Sequence, residues 1–152
     1  MERLVALINK DLLSAEERKE LLDELYWADW TKLNNYYPNE VKKIFAFLRN
    51  TEFNVEEISL IQKLYNNPDG SYVEEFSHIV LKLYREDRTK FFKALHLNPE
   101  EGGNLAYLFR NDRFFDDVKL ELAEILDSNK LTEDEAITAS AFFKSYEYIC
   151  KT

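Results

Sequence analysis

The sequence predicts an all-α protein, on three observations. Helix-start signals recur along the chain, the apolar residues between them repeat with a period near 3.6, and no stretch alternates with the β-branched enrichment of a strand.

In chain order, the segment through Leu13 reads as one short helix. Ser14-Ala15-Glu16-Glu17 then has the form of a capping box, in which a hydroxyl and a carboxylate satisfy the free N–H groups of a helix start. Asn54-Val55-Glu56-Glu57, Ser71-Tyr72-Val73-Glu74 and Thr132-Glu133-Asp134-Glu135 repeat that form. Pro38 and Pro99 mark two further starts, because proline at the first helical position loses no hydrogen bond. Ile44, Phe47 and Leu48 stripe one helix, and Ile58, Ile61, Leu64 and Tyr65 the next. Tyr72, Phe76, Ile79, Val80 and Leu83 form the clearest stripe, opposite Glu74, His78 and Arg85. Later stripes comprise Phe91, Phe92 and Leu95, then Leu105 to Phe109, then Val118, Leu122, Ile125 and Leu126, and finally Ile137, Phe142, Phe143, Tyr146 and Ile149.

About seven or eight short helices follow, and 152 residues without a Pro-, Gly- or Ser-rich linker read as one domain, 1–152. Phe47-Leu48-Arg49-Asn50-Thr51-Glu52-Phe53 is echoed by Leu108-Phe109-Arg110-Asn111-Asp112-Arg113-Phe114, with a poorer copy at Leu83-Tyr84-Arg85-Glu86. In each, Arg falls near a helix end, where it meets the negative pole of the helix, and Asn there suits a left-handed C-cap. The echo favours antiparallel helical hairpins in an irregular HEAT/armadillo-like array, with a compact helical bundle as the alternative.

The chain carries 29 acidic against 20 basic residues, a net charge of −9, which disfavours a nucleic-acid-coating role. At 45% hydrophobic and 14% aromatic it is not a disordered chain. The single cysteine, Cys150, excludes an internal disulfide and a Cys-rich zinc site, and suits a reducing cytoplasm. No apolar run reaches the ~20 residues that cross a bilayer, so membrane insertion is not expected. Twelve of the acidic residues fall in predicted first helical turns, where they offset the helix dipole. Much of the acidity is therefore structural.

No residue pattern specifies catalysis, a cofactor or a metal. The loop Asn66-Asn67-Pro68-Asp69-Gly70-Ser71 superficially suits calcium, but alignment on Gly70 puts Tyr65 and Phe76 where the first and last ligands belong. It reads as a turn. Glu75 and His78 share a helical face but form one Glu-x-x-His pair where a di-iron bundle needs two. Gly102-Gly103 lies one turn into a helix and offsets it, with no phosphate-loop context. The chain is read as not an enzyme, with no cofactor.

Three surfaces are candidates for a partner. Residues 26–37 hold both tryptophans and three tyrosines: Tyr26, Trp27, Trp30, Tyr36 and Tyr37. Trp27 and Trp30 share a face if one helix runs through both, and amphipathic aromatics are enriched at binding hot spots. Leu33 and Ala28 are the expected inside positions. Lys82, Arg85, Arg88, Lys90 and Lys93 outweigh Glu86 and Asp87, a basic patch able to receive an acidic segment. Asp112, Asp116, Asp117, Glu121, Glu124 and Asp127 form an acidic stretch where a basic partner would dock. The expected function is a non-catalytic protein-interaction module binding a protein or peptide. The alternative is an acidic inhibitor of the immunity-protein or antitoxin kind, directed at a basic enzyme.

Overall fold

The computed structural model describes residues 1–151, with Lys151 by its backbone alone. Among the described residues the chain is all-helical, with ten α-helices, two single 3-10 turns and no strand. The helices are α1 (Glu2–Ile8), α2 (Ala15–Tyr26), α3 (Trp30–Tyr36), α4 (Pro38–Asn50) and α5 (Val55–Ile61), followed by α6 (Val73–Glu86), α7 (Arg88–Leu97), α8 (Gly102–Asn111), α9 (Val118–Asp127) and α10 (Glu133–Lys151). The 3-10 turns are Leu64–Asn66 and Pro99–Glu101. None of these helices is long and apolar enough to cross a membrane.

The structure departs locally in two places from the seven or eight helices expected, and the second departure adds a helix. The first helix ends at Ile8 instead of reaching Leu13. Residues 26–37 are split between two helices, because Asp29 takes an extended conformation (φ −85°, ψ 90°) and accepts from the N–H of Lys32 at 3.1 Å, starting α3 afresh.

The capping boxes at Ser14, Asn54 and Thr132 form as read. Ser14 Oγ accepts from Glu17 N–H at 3.1 Å, Asn54 Oδ1 from Glu57 N–H at 2.9 Å and Thr132 Oγ1 from Glu135 N–H at 3.2 Å, and each glutamate reaches back to its cap. Ser71 departs from the expectation. Its hydroxyl donates to Asp69 Oδ1 at 3.0 Å, and α6 begins after Tyr72, which sits at φ +58°. Ser71 stands one residue too early to be the cap, because the left-handed Tyr72 comes between it and Val73, the first residue of α6. The loop is folded around the buried Asn67, whose amide donates to the carbonyls of Leu64 and Ser71 and accepts from Gly70 N–H at 2.9 Å. Gly70 supplies the left-handed φ of +73° that this turn requires.

The chain divides into two compact units, Met1–Ile79 and Val80–Thr152, with the boundary inside α6. In the first, α2 packs on α1 and α5, α3 on α4, and α1 on α4. Its core holds Leu21, Leu22 and Leu25 of α2 and an aromatic knot in which Trp30 meets Phe45, Tyr72 and Phe76 at ring-centroid distances of 6.1, 5.2 and 5.6 Å. In the second, α10 packs on α7, α8 and α9. Phe91, Phe92, Phe109, Phe142 and Phe143 are all fully buried there.

The echoed Arg-Asn segments end their helices, with Arg49 and Arg110 in the last turns of α4 and α8. Neither Asn50 nor Asn111 takes the left-handed conformation expected of it. After α8 that role falls to Arg113, at φ +50°, where Arg113 N–H bonds Arg110 O at 3.0 Å and Phe114 N–H bonds Phe109 O at 3.1 Å. These two bonds make a Schellman ending, and its usual apolar contact is Phe114 on Phe109, with centroids 4.9 Å apart. The left-handed arginine sets the half-buried Phe114 ring against both Phe109 and Tyr84. The two segments are also used alike. Phe53 follows α4, carries the Arg18 guanidinium at 5.5 Å, and Arg18 bonds Glu57 in the first turn of α5 at 2.9 Å. Phe114 follows α8, carries Arg85 at 4.6 Å, and Arg88 bonds Glu121 in the first turn of α9.

Candidate interaction site

The basic and acidic stretches, read separately from the sequence, meet each other inside the second unit. Asp87 caps α7 by accepting from Lys90 N–H at 3.0 Å, which sets Arg88 at the first helical position. Asp117 caps α9 by accepting from Leu120 N–H at 3.1 Å, which sets Glu121 in its first turn. Arg88 Nη1 then reaches Glu121 Oε1 at 3.0 Å and Glu124 Oε2 at 3.1 Å. The same Glu121 oxygen accepts from the Tyr84 hydroxyl at 2.5 Å.

Tyr84 is buried among Phe91, Phe92, Phe109, Phe114 and Phe115, all edge-on at 5.3–5.9 Å. Burial foremost, and then the bond to Glu121, pushes its phenol well above the ordinary tyrosine range. It is held as a neutral donor. Around this cluster lies an open cleft of about 630 Å³, lined by Tyr84, Arg85, Asp87, Arg88, Glu121, Glu124 and Lys130 among others. Chemically the cluster is a clamp: two donors converge on one carboxylate and tie the start of α9 to the start of α7.

The remaining basic residues are similarly engaged. Lys82 pairs with Glu86 at 3.2 Å, Arg85 lies over Phe114, and Lys93 pairs with Glu135 at 2.7 Å. The basic patch is thus spent largely within its own unit. On the acidic side, Asp117 is a cap and Glu121 and Glu124 face Arg88. Asp112, Asp116 and Asp127 are exposed, and none of the three makes an ion pair among the described residues. Beside them the outer side of α9 leaves Leu120 and Leu126 exposed, at 56% and 38%.

The aromatic segment is divided rather than clustered. Trp30 is fully buried and offers no surface, because α3 starts between it and Trp27 and turns it inward. Trp27 is 68% exposed, edge-on to the half-buried Tyr26, whose ring carries the Lys63 ammonium at 5.0 Å. Tyr36 is also exposed, while Tyr37 is half-buried at the junction of α3 and α4. Leu33 is inside as expected, and Ala28 only partly so.

Sequence reading missed the caps Asp29, Asp87 and Asp117, because it sought Glu or Gln three residues on and these starts have Lys32, Lys90 and Leu120 there. Aspartate before an apolar-periodic segment was the available signal. No local pattern could have revealed the Tyr84–Glu121–Arg88 cluster, whose members are up to 37 residues apart. Comparison of the chain with protein-family models, curated proteins and solved structures finds no match.

Proposed function

We propose that the chain is a non-catalytic interaction module whose residues 80–152 bind a positively charged protein or peptide. The observation that carries this reading is the division of charge on and around α9. Glu121 and Glu124 share the single cation of Arg88, whereas Asp112, Asp116 and Asp127 remain exposed and unpaired among the described residues. Uncompensated charge on a surface steers an oppositely charged partner and sets its orientation. A net charge of −9 makes a polyanion such as nucleic acid a poor partner. The exposed thiol of Cys150 is in keeping with a reducing cytoplasm as the setting.

The test is affinity capture from the source organism at low and high salt, with the wild-type chain and a charge-reversed variant (Asp112→Lys, Asp116→Lys, Asp127→Lys). A specific protein retained at low salt, released at high salt and lost with the variant supports the reading. A partner indifferent to both, lost instead with Trp27→Ala, moves the site to the first unit. Turnover of a substrate by the purified protein overturns the reading altogether. The same acidic surplus favours a narrower form, an inhibitor of a basic enzyme, which the captured partner's own activity assay decides.

A further inference from the structure

An outward helix face in a folded domain is ordinarily polar. On α9 it is not. Ile125 is the one residue of this helix buried in its unit, with Val118 and Leu122 half-buried beside it. On the other side, Leu120, Ala123 and Leu126 are exposed, each three residues after the last, so they form a continuous slanted ridge. A single exposed leucine needs no explanation. Two leucines and an alanine in one ridge, with an exposed aspartate at either end of the helix, form a defined pattern.

We infer that this ridge is the seat of an amphipathic, basic helix supplied by the partner protein, with its apolar side on Leu120, Ala123 and Leu126 and its cations toward Asp116 and Asp127. The inference rests on the charged-partner reading above and names the element that reading leaves open. Charge complementarity selects the partner: the flanking aspartates have no ion pair among the described residues, while Glu121 and Glu124 are already held by Arg88. Geometry selects a helix. A ridge of side chains three apart fits the groove between the corresponding rows of a second helix, and small Ala123 at its middle allows close approach. The ten residues of α9 span about 15 Å, matching about three turns of a partner helix. Lys119 lies on the Leu126 side and disfavours a cation opposite it, so the partner's basic residues belong at its two ends.

The experiment uses the full chain and two labelled, helix-stapled peptides of leucine and lysine. One is patterned with its leucines on a single face, and the other has the same composition scrambled. Binding is read by fluorescence anisotropy across a salt series. The patterned peptide is expected to bind at least about tenfold more tightly than the scrambled one. Leu120→Ser with Leu126→Ser should weaken it by a similar factor and leave its salt dependence unchanged. Asp116→Asn with Asp127→Asn should weaken it and flatten the salt dependence. These positions are exposed, so unchanged circular dichroism is expected for both variants. Equal binding of the two peptides, untouched by the leucine changes, overturns the inference and leaves a purely ionic surface, with the proposed function standing. Failure of both peptides to bind, with charge-dependent capture from the organism intact, overturns it too and puts the partner elsewhere on the acidic surface. Self-association by sedimentation, abolished by Leu120→Ser, overturns it by making a second copy the occupant.

Discussion

Arg88 and Glu121, thirty-three residues apart, are joined at 3.0 Å, so the most basic and the most acidic stretches of the second unit neutralise each other at their point of contact. The bond runs between the first turns of two helices. Glu121 gains a cation in addition to its own helix's N-terminal pole, and Tyr84 supplies a second donor to the same oxygen.

Arg88→Met should lower stability by about 1 kcal/mol, a modest value because the guanidinium is partly exposed and a surface pair contributes little. Tyr84→Phe should cost about 1–2 kcal/mol by removing a bond to a charged acceptor. The double variant should lose more than the sum, since either donor still serves the shared oxygen when the other is removed. Urea denaturation of the four proteins measures the coupling.

Tyr84 also predicts an alkaline effect. Its folded-state value is raised, so its contribution is complete below the ordinary tyrosine range and is lost as pH rises beyond it, when only the unfolded chain ionises readily. Thermal midpoints above about pH 10 should fall less steeply in Tyr84→Phe than in the wild type.

At acid pH the group to follow is Glu17. The hydrogen bond from Lys10, then that from Ser14 N–H, lowers its carboxyl to about 2. A depressed folded value means a contribution present above the unfolded carboxylate range and lost as pH falls towards 2. Carbon-detected NMR titration of the Glu17 carboxyl should place its midpoint well below those of exposed glutamates. Lys10→Ala should move that midpoint upward.

The two tryptophans should behave oppositely. Trp30→Ala should cost about 3–5 kcal/mol as a cavity in a packed core, whereas Trp27→Ala should stay within about 0.5 kcal/mol. Trp27→Phe should leave a blue-shifted emission protected from iodide, because Trp30 is fully buried.

Helix starts separate in the same way. Asn54→Ala removes a formed capping box and should cost about 1 kcal/mol. Ser71→Ala touches no helix cap, and chemical denaturation should show it closer to wild type than Asn54→Ala.

Residues adjacent in sequence explain why so much of the fold was legible beforehand. Ser14, Asn54 and Thr132 act on an N–H three positions away, so their role is written locally, and so is the inward stripe of Phe76, Ile79 and Val80. Ser71 misled because Asn67 holds the Ser71 carbonyl in the loop and Tyr72 turns left-handed after it, so that α6 starts one residue later than the capping pattern implies. Asn111 misled because the left-handed position after α8 falls at Arg113, where it sets the half-buried Phe114 ring against Tyr84 of α6, a distant partner, as well as against Phe109.

The sequence by itself determined that this chain is helical and where most of its helices begin, because caps, prolines and apolar periodicity act within one or two turns. Only the tertiary structure decided which of its charges and aromatics remain at the surface. Trp30 was drawn into the core while Trp27, three residues before it, was left outside. Arg88 was consumed by Glu121 and Glu124, leaving Asp116 and Asp127 exposed. Neutralisation and burial depend on which residues meet across the fold, and neither is a property of a residue and its neighbours in the chain.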